Sequence, residues 1–161
     1  MVTFKEVDNI KELANLASLI WHEYWPGRIS CEQIDYMVDK FQSEEAITKQ
    51  IENENYTYFY LVVDGNIAGY TGLSKKENYL FLSKIYIGKN YRHKGVGTAA
   101  FEFIKKFAKE NNYKTIKLTV QKDHENSISA YIKWGFKTVD AIVANIGNGF
   151  VMDDYVMEYY L

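Results

Sequence analysis

The chain has 161 residues, of which 47% are apolar, and its 14 Tyr and 9 Phe supply enough hydrophobic side chain for a packed domain. This composition excludes a disordered chain, and we expect a single domain spanning residues 1–161. The formal net charge of −2 excludes a strongly basic nucleic-acid-binding protein, so we expect no nucleic-acid partner. We find no N-terminal apolar run of signal-peptide or membrane-span length, and the lone Cys31 cannot form an intramolecular disulfide. We therefore expect a cytoplasmic protein without a membrane partner.

The first third of the chain predicts one strand followed by three helices. Apolar residues at helical spacing follow polar residues that can accept hydrogen bonds from the free amides of a first helical turn. Ser30 and Gln33 fit a capping box, in which the hydroxyl accepts from the third amide and the glutamine reaches back. The predicted elements are a strand at 2–7, a helix capped by Asp8 or Asn9 that ends at Pro26, a helix capped by Ser30 and a helix capped by Ser43.

The periodicity then changes to that of β-strands. Residues 56–63 are mostly β-branched and aromatic, and the following Asp64-Gly65-Asn66 is typical of a tight hairpin turn, which needs positive φ. Two further runs at 67–74 and 79–87 complete a predicted antiparallel meander of three strands.

A basic turn with two glycines, residues 91–98, follows the third meander strand and leads into a predicted helix at 98–110. The first amides of a helix have no partner within it, and the helix dipole places partial positive charge there. Gly95 and Gly97 would let phosphate oxygens approach the backbone, so the turn fits an anion site. The alternative is a tight loop whose glycines only supply positive φ and whose basic side chains lie in water.

The last third predicts a strand at 114–120, a helix at 127–134 that ends at Gly135, and two strands at 136–143 and 152–160. The strand at 79–87 and the strand at 114–120 are joined by a helix, so they should be parallel. We therefore predict an α/β fold with a mixed sheet and helices on both faces. If the parallel strands part at their C-terminal ends, a slot opens beside the glycine turn.

With this order of elements, the sequence resembles the GCN5-related N-acetyltransferase (GNAT) superfamily. Three features carry the resemblance: Ile85-Tyr86-Ile87 followed by the turn at 91–97, the spacing from that turn to the strand at 114–120, and the run from Ser127 to Phe136 that ends in Gly-Phe. The resemblance implies a GNAT-like fold with a mostly antiparallel sheet and one splayed parallel pair. Within the superfamily, the chain is most similar to small bacterial acetyltransferases of the polyamine type.

The resemblance also implies acetyl-CoA as cosubstrate and a set of residues that would bind it. The backbone of Ile85, Tyr86 and Ile87 would align the pantetheine arm, and Tyr131 falls where the family places its general acid. The alternative for Tyr131 is an aromatic core residue. The residues implied around the pyrophosphate are Arg92, His93, Lys94, Gly95, Val96, Gly97 and Thr98.

The chain departs from the family pattern at two places. His124 stands where many relatives have Asn, and Asn126 lies two residues on; either could contact CoA, while Asn126 could instead cap a helix and His124 could be a solvated loop residue. The predicted strands at 79–87 and 114–120 contain no carboxylate to act as the general base. Three residues outside those strands, or a chain of waters, could take the proton: Glu23, Asp153 and Asp154.

The predicted activity is direct acetyl transfer to a primary amine on a polyamine, another small molecule or a protein, by a monomer or homodimer. Trp21, Tyr24 and Trp25 could wall the acceptor pocket or belong to the core. The three histidines have no metal-ligand spacing, so we expect no metal site. One rival is a non-catalytic module that binds acetyl-CoA. Another is a nucleotide-binding protein, although the turn lacks the Lys-then-hydroxyl ending of a P-loop.

Overall fold

A seven-stranded mixed sheet and five α-helices make up the computed structural model, which describes residues 1–161. The strands are β1 (Val2–Glu6), β2 (Tyr56–Val63), β3 (Asn66–Lys75), β4 (Leu80–Ile87), β5 (Thr115–Gln121), β6 (Lys137–Gly147) and β7 (Phe150–Tyr160). The helices are α1 (Ile10–Tyr24), α2 (Cys31–Gln42), α3 (Glu44–Asn53), α4 (Val96–Glu110) and α5 (Glu125–Trp134). None of these helices is both long and apolar enough to span a membrane.

The first three helices begin at the polar residues that the sequence indicates. The side-chain oxygens of Asn9, Ser30 and Ser43 each accept the backbone amide three residues further on, at 3.1 Å. The capping box predicted at Ser30 is only half formed, because the Gln33 amide group does not reach back. It donates instead to the Val151 carbonyl oxygen of β7, at 3.4 Å, and so ties α2 to the sheet.

The sheet has the order β1-β2-β3-β4-β5-β7-β6, and β4 and β5 are its parallel pair. These two strands pair only at Leu80 with Ile116 and at Phe81 with Lys117. The register with β3 shifts at this point, since Gly72 lies opposite Lys84 whereas the next residue lies opposite Leu82. A bulge of this kind bends a strand, and here β4 leaves β5 after the shared start. The predicted mixed sheet with a splayed parallel pair is therefore confirmed.

Helices cover both faces of the sheet, as predicted. On one face, α1, α2 and α3 enclose a core that includes Leu13, Trp21, Met37, Ile47 and Tyr70. On the other face, α4 and α5 pack over a second core. The second core includes Leu80, Phe101, Ile104, Ile116 and Phe136. The gap between β4 and β5 opens toward both faces of the sheet, so side chains from both cores can line it.

The largest differences from the predicted boundaries lie near the C-terminus. Helix α5 begins at Glu125, two residues earlier than expected, so Asn126 lies within its first turn rather than before it. Strand β6 continues to Gly147, four residues beyond the predicted end, and its partner β7 starts at Phe150. The long β6–β7 hairpin brings residues of β7 alongside β5 and therefore next to the splay.

Candidate active site

The start of α4 presents a row of backbone amides without partners. None of the amides of residues 93–98 donates a hydrogen bond to another group of the protein; the first helical bond is from Ala99 to the Gly95 carbonyl oxygen. Gly95 adopts the left-handed conformation, with φ of 80°, and no side chain caps the helix. His93 also has positive φ, at 60°. Successive amides turned to one side, at the positive end of a helix dipole, form a concave anion site.

The side chain of Arg92 braces this loop against α1 and the end of β4. Arg92 donates from Nε to the Ile87 carbonyl oxygen at 3.0 Å, and its guanidinium lies 5.6 Å from the centre of the Tyr24 ring. Its Nη2 lies 3.4 Å from the Glu23 carboxylate, which also accepts the Lys89 amide at 2.7 Å. Glu23 is thus engaged in holding the loop, and it lines neither of the two cavities described below.

The first cavity, of about 500 Å³, runs from this loop along the end of β4 to α5. It brings together every residue that the sequence proposed for the cofactor and for the general acid, except Lys94, which is exposed and does not line it. Arg28 and Lys133 also line it and add positive charge. Neither was predicted: Lys133 lies in the run from Ser127 to Phe136, where no motif marks it, and only the fold brings Arg28 near the glycine loop.

The second cavity, of about 230 Å³, lies on the other side of the splay, beneath α1 and α2. Most of its lining residues are of apolar or aromatic type, and they include the side chains predicted as candidates for an acceptor pocket, Trp21, Tyr24 and Trp25. Trp21 is fixed by a hydrogen bond from its Nε1 to the Tyr70 hydroxyl, at 2.7 Å. The two cavities share five lining residues: Tyr24, Ile85, Tyr86, His124 and Tyr131.

Tyr131 lies where the two cavities meet. Its ring packs against Trp134 and Phe136, with centroids 5.6 and 5.9 Å apart, and its hydroxyl forms no hydrogen bond within the protein. Burial raises the pKa of Tyr131 to about 12. The phenol therefore keeps its proton at neutral pH and can donate it to a base inside the cavity.

His124 and Asn126 both line the first cavity, in different environments. His124 is only 5% exposed, so it is not a solvated loop residue. The Tyr24 hydroxyl lies 2.7 Å from its ring nitrogens, and Ser127 Oγ lies 3.2 Å from Nε2. Burial lowers the pKa of His124, which favours the neutral ring. The alternative of Asn126 as a helix cap is wrong, since His124 holds the N-cap position and no side chain caps the helix.

Among the three carboxylates considered for the general base, only Asp154 lines the second cavity. It is buried, with 8% of its surface exposed, and its Oδ1 has no hydrogen-bond partner. Burial, helped by the nearby Asp153, raises the pKa of Asp154 to about 6. Asp153 faces outward and pairs with Lys122 at 2.9 Å. The signal that separates them is strand alternation, which sends neighbouring side chains of β7 to opposite faces.

Comparison with known proteins agrees with this geometry. The model of the acetyltransferase (GNAT) family matches residues 17–136, which is more than half of the chain. The chain belongs to the GNAT family. Family membership makes it an acetyl-CoA-dependent acyltransferase, as the resemblance implied.

Individual GNAT proteins resemble the chain over nearly its whole length. The spermidine N(1)-acetyltransferase of Thermoplasma acidophilum is 23% identical over 151 residues, which are 91% of each protein. The structure of the PaiA N-acetyltransferase from the same organism, in complex with coenzyme A, superposes with a TM-score of 0.82 and 21% identity. It covers 100% of this chain, and 99% of its own chain is matched. A GNAT acetyltransferase from Elizabethkingia anophelis with acetyl-CoA bound gives a TM-score of 0.67 at 14% identity, with 99% of this chain and 98% of that chain covered.

The residues of this GNAT chain fit the cosubstrate at its charged end. Coenzyme A carries a pyrophosphate, and the free amides of residues 93–98 offer the donors that such a group requires. A Cβ on Gly95 would meet no atom within 4 Å, so the backbone there is open to a ligand. At Gly97, by contrast, a Cβ would lie 3.4 Å from Ile87 and Trp134, so the absence of a side chain allows close packing.

Proposed function

We propose that this acetyltransferase moves the acetyl group of acetyl-CoA directly to a primary amine held in the second cavity. One observation carries the proposal: the unpaired hydroxyl of Tyr131 lies where the cavity beside the pyrophosphate loop meets a second, separately walled cavity. Two substrates approaching from opposite sides of the sheet would meet at this point. Direct transfer then needs no covalent enzyme intermediate, because both substrates are held in one cleft.

In this proposal, the amides of residues 93–98 hold the pyrophosphate, with Arg92 beside them. The pantetheine arm runs along β4 beyond Phe81, where the strand has no partner in β5. Ile85, Tyr86 and Ile87 offer their backbone to it as a neighbouring strand would. Of the remaining predicted contacts, His124 at the N-cap of α5 and Asn126 in its first turn face the arm. This path leads from the loop to Tyr131 and so carries the thioester to the boundary between the cavities.

The chemistry needs a proton acceptor for the amine, because an ammonium group with a pKa near 10 cannot attack a carbonyl. The Asp154 carboxylate takes that proton, and the free amine attacks the thioester carbon. An amide of the unpaired part of β4 donates to the oxyanion. The C–S bond then breaks while the C–N bond remains, and Tyr131 gives its proton to the departing thiolate. The nitrogen passes its second proton to Tyr131, which restores the phenol, and Asp154 releases its own proton to solvent. CoA leaves as the thiol and the acceptor leaves as the N-acetyl product.

The rival proposal is a module that binds acetyl-CoA without turnover, and the reason to consider it is that the two central strands carry no carboxylate. Asp154 on β7 weakens that reason, because it supplies a buried carboxylate to the second cavity. The relatives include a spermidine acetyltransferase, so polyamines form one class of acceptor to test beside monoamines, amino acids and peptides.

An amine screen that follows release of the CoA thiol tests the proposal. We expect turnover with at least one class of primary amine, and loss of that turnover in Asp154→Asn and Tyr131→Phe. The outward-facing Asp153→Asn is the matched control and should retain activity. Tight binding of acetyl-CoA with no acetyl transfer to any amine would favour the non-catalytic module.

A further inference from the structure

Lys84, on the splayed part of β4, lines the second cavity and is the only lysine or arginine to do so. Its side chain is partly buried, and its ammonium group lies 6.0 Å from the centre of the Phe41 ring. The Nζ donates to Ser83 Oγ at 2.9 Å and lies 3.4 Å from the Ser83 carbonyl oxygen. It has no carboxylate partner among the ion pairs of the chain.

The second cavity therefore holds one cation and one carboxylate, Lys84 on β4 and Asp154 on β7, and otherwise uncharged side chains. Asp154 acts on the amine in the proposed function, which leaves Lys84 without a role. A charge in an apolar enclosure is costly unless an opposite charge compensates it. The geometry thus leaves one position in the cavity where an anion would be stabilised.

We propose that the natural acceptor is an amino carboxylate, whose amine faces Asp154 and Tyr131 while its carboxylate pairs with Lys84. This inference rests on the proposed function, because it names the class of amine held in the second cavity. A single lysine matches the single charge of a carboxylate. The Ser83 hydroxyl accepts from Lys84 Nζ and lies 2.8 Å from the Tyr56 hydroxyl, so it can donate its own proton to that carboxylate when Tyr56 is the donor in their contact.

The charge on Lys84 also argues against a polyamine. Burial lowers the pKa of Lys84 to about 8, with Glu54 opposing the change, so the group remains mostly charged at neutral pH. A second ammonium group of a polyamine, entering the same enclosure, would be repelled by it. Lys84 and Ser83 also line an adjoining groove of about 410 Å³, which contains Glu54 as well as Lys40 and Lys49. The lysines of that groove outnumber its one carboxylate, so the net charge of the groove favours an anion as well.

The test compares three amines at each chain length: an unbranched ω-amino carboxylate, the alkylamine with a methyl group in place of the carboxylate, and the corresponding diamine. For the wild type we expect the carboxylate to have the highest kcat/KM and the diamine the lowest. In Lys84→Met, kcat/KM for the amino carboxylate should fall by about tenfold or more, the usual effect of losing a charge-assisted hydrogen bond. The kcat/KM for the alkylamine should change by no more than about twofold, because the alkylamine makes no ionic contact with Lys84. Lys84→Glu should favour the diamine.

Lys117→Met is the matched control, since Lys117 lies on the neighbouring strand β5, pairs with Glu158 at 3.3 Å and lines neither cavity. It should leave the order of the three amines unchanged. A wild-type preference for the diamine would overturn the inference, and so would an equal loss for all three amines in Lys84→Met, which would indicate a structural role.

Calorimetric titration of the amino carboxylate into the CoA complex gives a readout that does not depend on turnover. If no amine is acetylated but the carboxylate binds the wild type about tenfold more tightly than Lys84→Met, the proposed function fails while the anion site stands. If the two proteins bind it equally, or neither binds it, the anion site is refuted.

Discussion

The side chains around Tyr131 set the conditions under which its hydroxyl can act as an acid. Because burial raises its pKa to about 12, the phenol stays protonated across the neutral range. We expect Tyr131→Phe to lower kcat by roughly a hundredfold, the lower end of the range for a lost general acid. The affinity for CoA should change by no more than about threefold, because the phenol contributes no charge to the pyrophosphate site.

Steady-state kinetics and calorimetry with CoA separate these two effects. Tyr113→Phe is the control, since its hydroxyl donates to the Lys76 carbonyl oxygen at 2.7 Å, away from both cavities. If Tyr131→Phe turned over at the wild-type rate at neutral pH, Tyr131 would have no role as an acid.

At Asp154, stability and activity make opposite demands: the buried carboxylate destabilises the fold, but the proposed reaction needs it. Its raised pKa means that, above pH 6, folding buries a charge that the unfolded chain keeps in water. As the pH falls through 6, the folded protein binds a proton that the unfolded chain does not yet bind, and this destabilising contribution disappears. Asp154→Asn should therefore be more stable than the wild type at pH 7.5, by about 1 to 3 kcal/mol, and nearly inactive.

Chemical unfolding at several pH values checks this prediction. The difference in the free energy of unfolding between Asp154→Asn and the wild type should shrink below pH 6. Asp153→Asn should instead lose a small amount of stability, because it breaks the exposed pair with Lys122. Wild-type kcat/KM should fall below pH 6, as the carboxylate becomes protonated. Equal stability of both proteins at every pH would show that Asp154 is solvated.

At the scale of single elements, the turn before α4 offers a test of its role as an anion site. Gly95 has φ of 80°, a conformation that Asn and Asp tolerate better than other residues. Gly95→Asn and Gly95→Asp should thus destabilise the fold to a similar extent, by about 1 kcal/mol. Only the aspartate adds a negative charge beside the pyrophosphate, so it should weaken CoA binding about tenfold beyond the effect of the asparagine.

Calorimetric titration of CoA into both variants, at low and high salt, gives the comparison. Added salt should reduce the difference in CoA affinity between the two variants, since it screens the repulsion between the introduced carboxylate and the pyrophosphate. If both variants bound CoA with the same affinity at low salt, the loop would not contact the pyrophosphate.

The elements themselves were largely predictable, because their signals are local. The side chains of Asn9, Ser30 and Ser43 cap the helices that their spacing predicts, and Asp64-Gly65 forms the expected turn, with φ of 50° and 83°. The start of α5 was misjudged because Asn126 is a good cap by residue type. The burial of His124 against Tyr24, a contact across 100 residues of sequence, accompanies the earlier start of the helix.

At the scale of the whole molecule, the sequence predicted most of the first cavity but only the aromatic wall and one candidate carboxylate of the second. The first cavity is built mostly from contiguous segments, β4 with its loop and α5, whose motifs are recognisable in order. The second cavity joins α1, α2, β4, β5 and the β6–β7 hairpin. Lys84 and Asp154 are 70 positions apart and meet in one cavity only because the bulge in β4 opens the sheet and β7 lies beside β5. No local pattern encodes that juxtaposition.

The separation of β4 from β5 also leads us to expect that CoA stabilises the whole fold. A ligand that lies along β4 and contacts α4 and α5 binds only the folded chain, so it should stabilise the fold by mass action, by about 2.7 kcal/mol at a hundredfold excess over Kd. For a domain of this size, that corresponds to a rise in Tm of roughly 5 to 10 °C. 3′-Phospho-ADP is CoA without the pantetheine arm, so at equal concentration it should raise Tm much less. Differential scanning fluorimetry with CoA and 3′-phospho-ADP measures both shifts, and equal shifts would show that the unpaired edge of β4 contributes nothing to CoA binding.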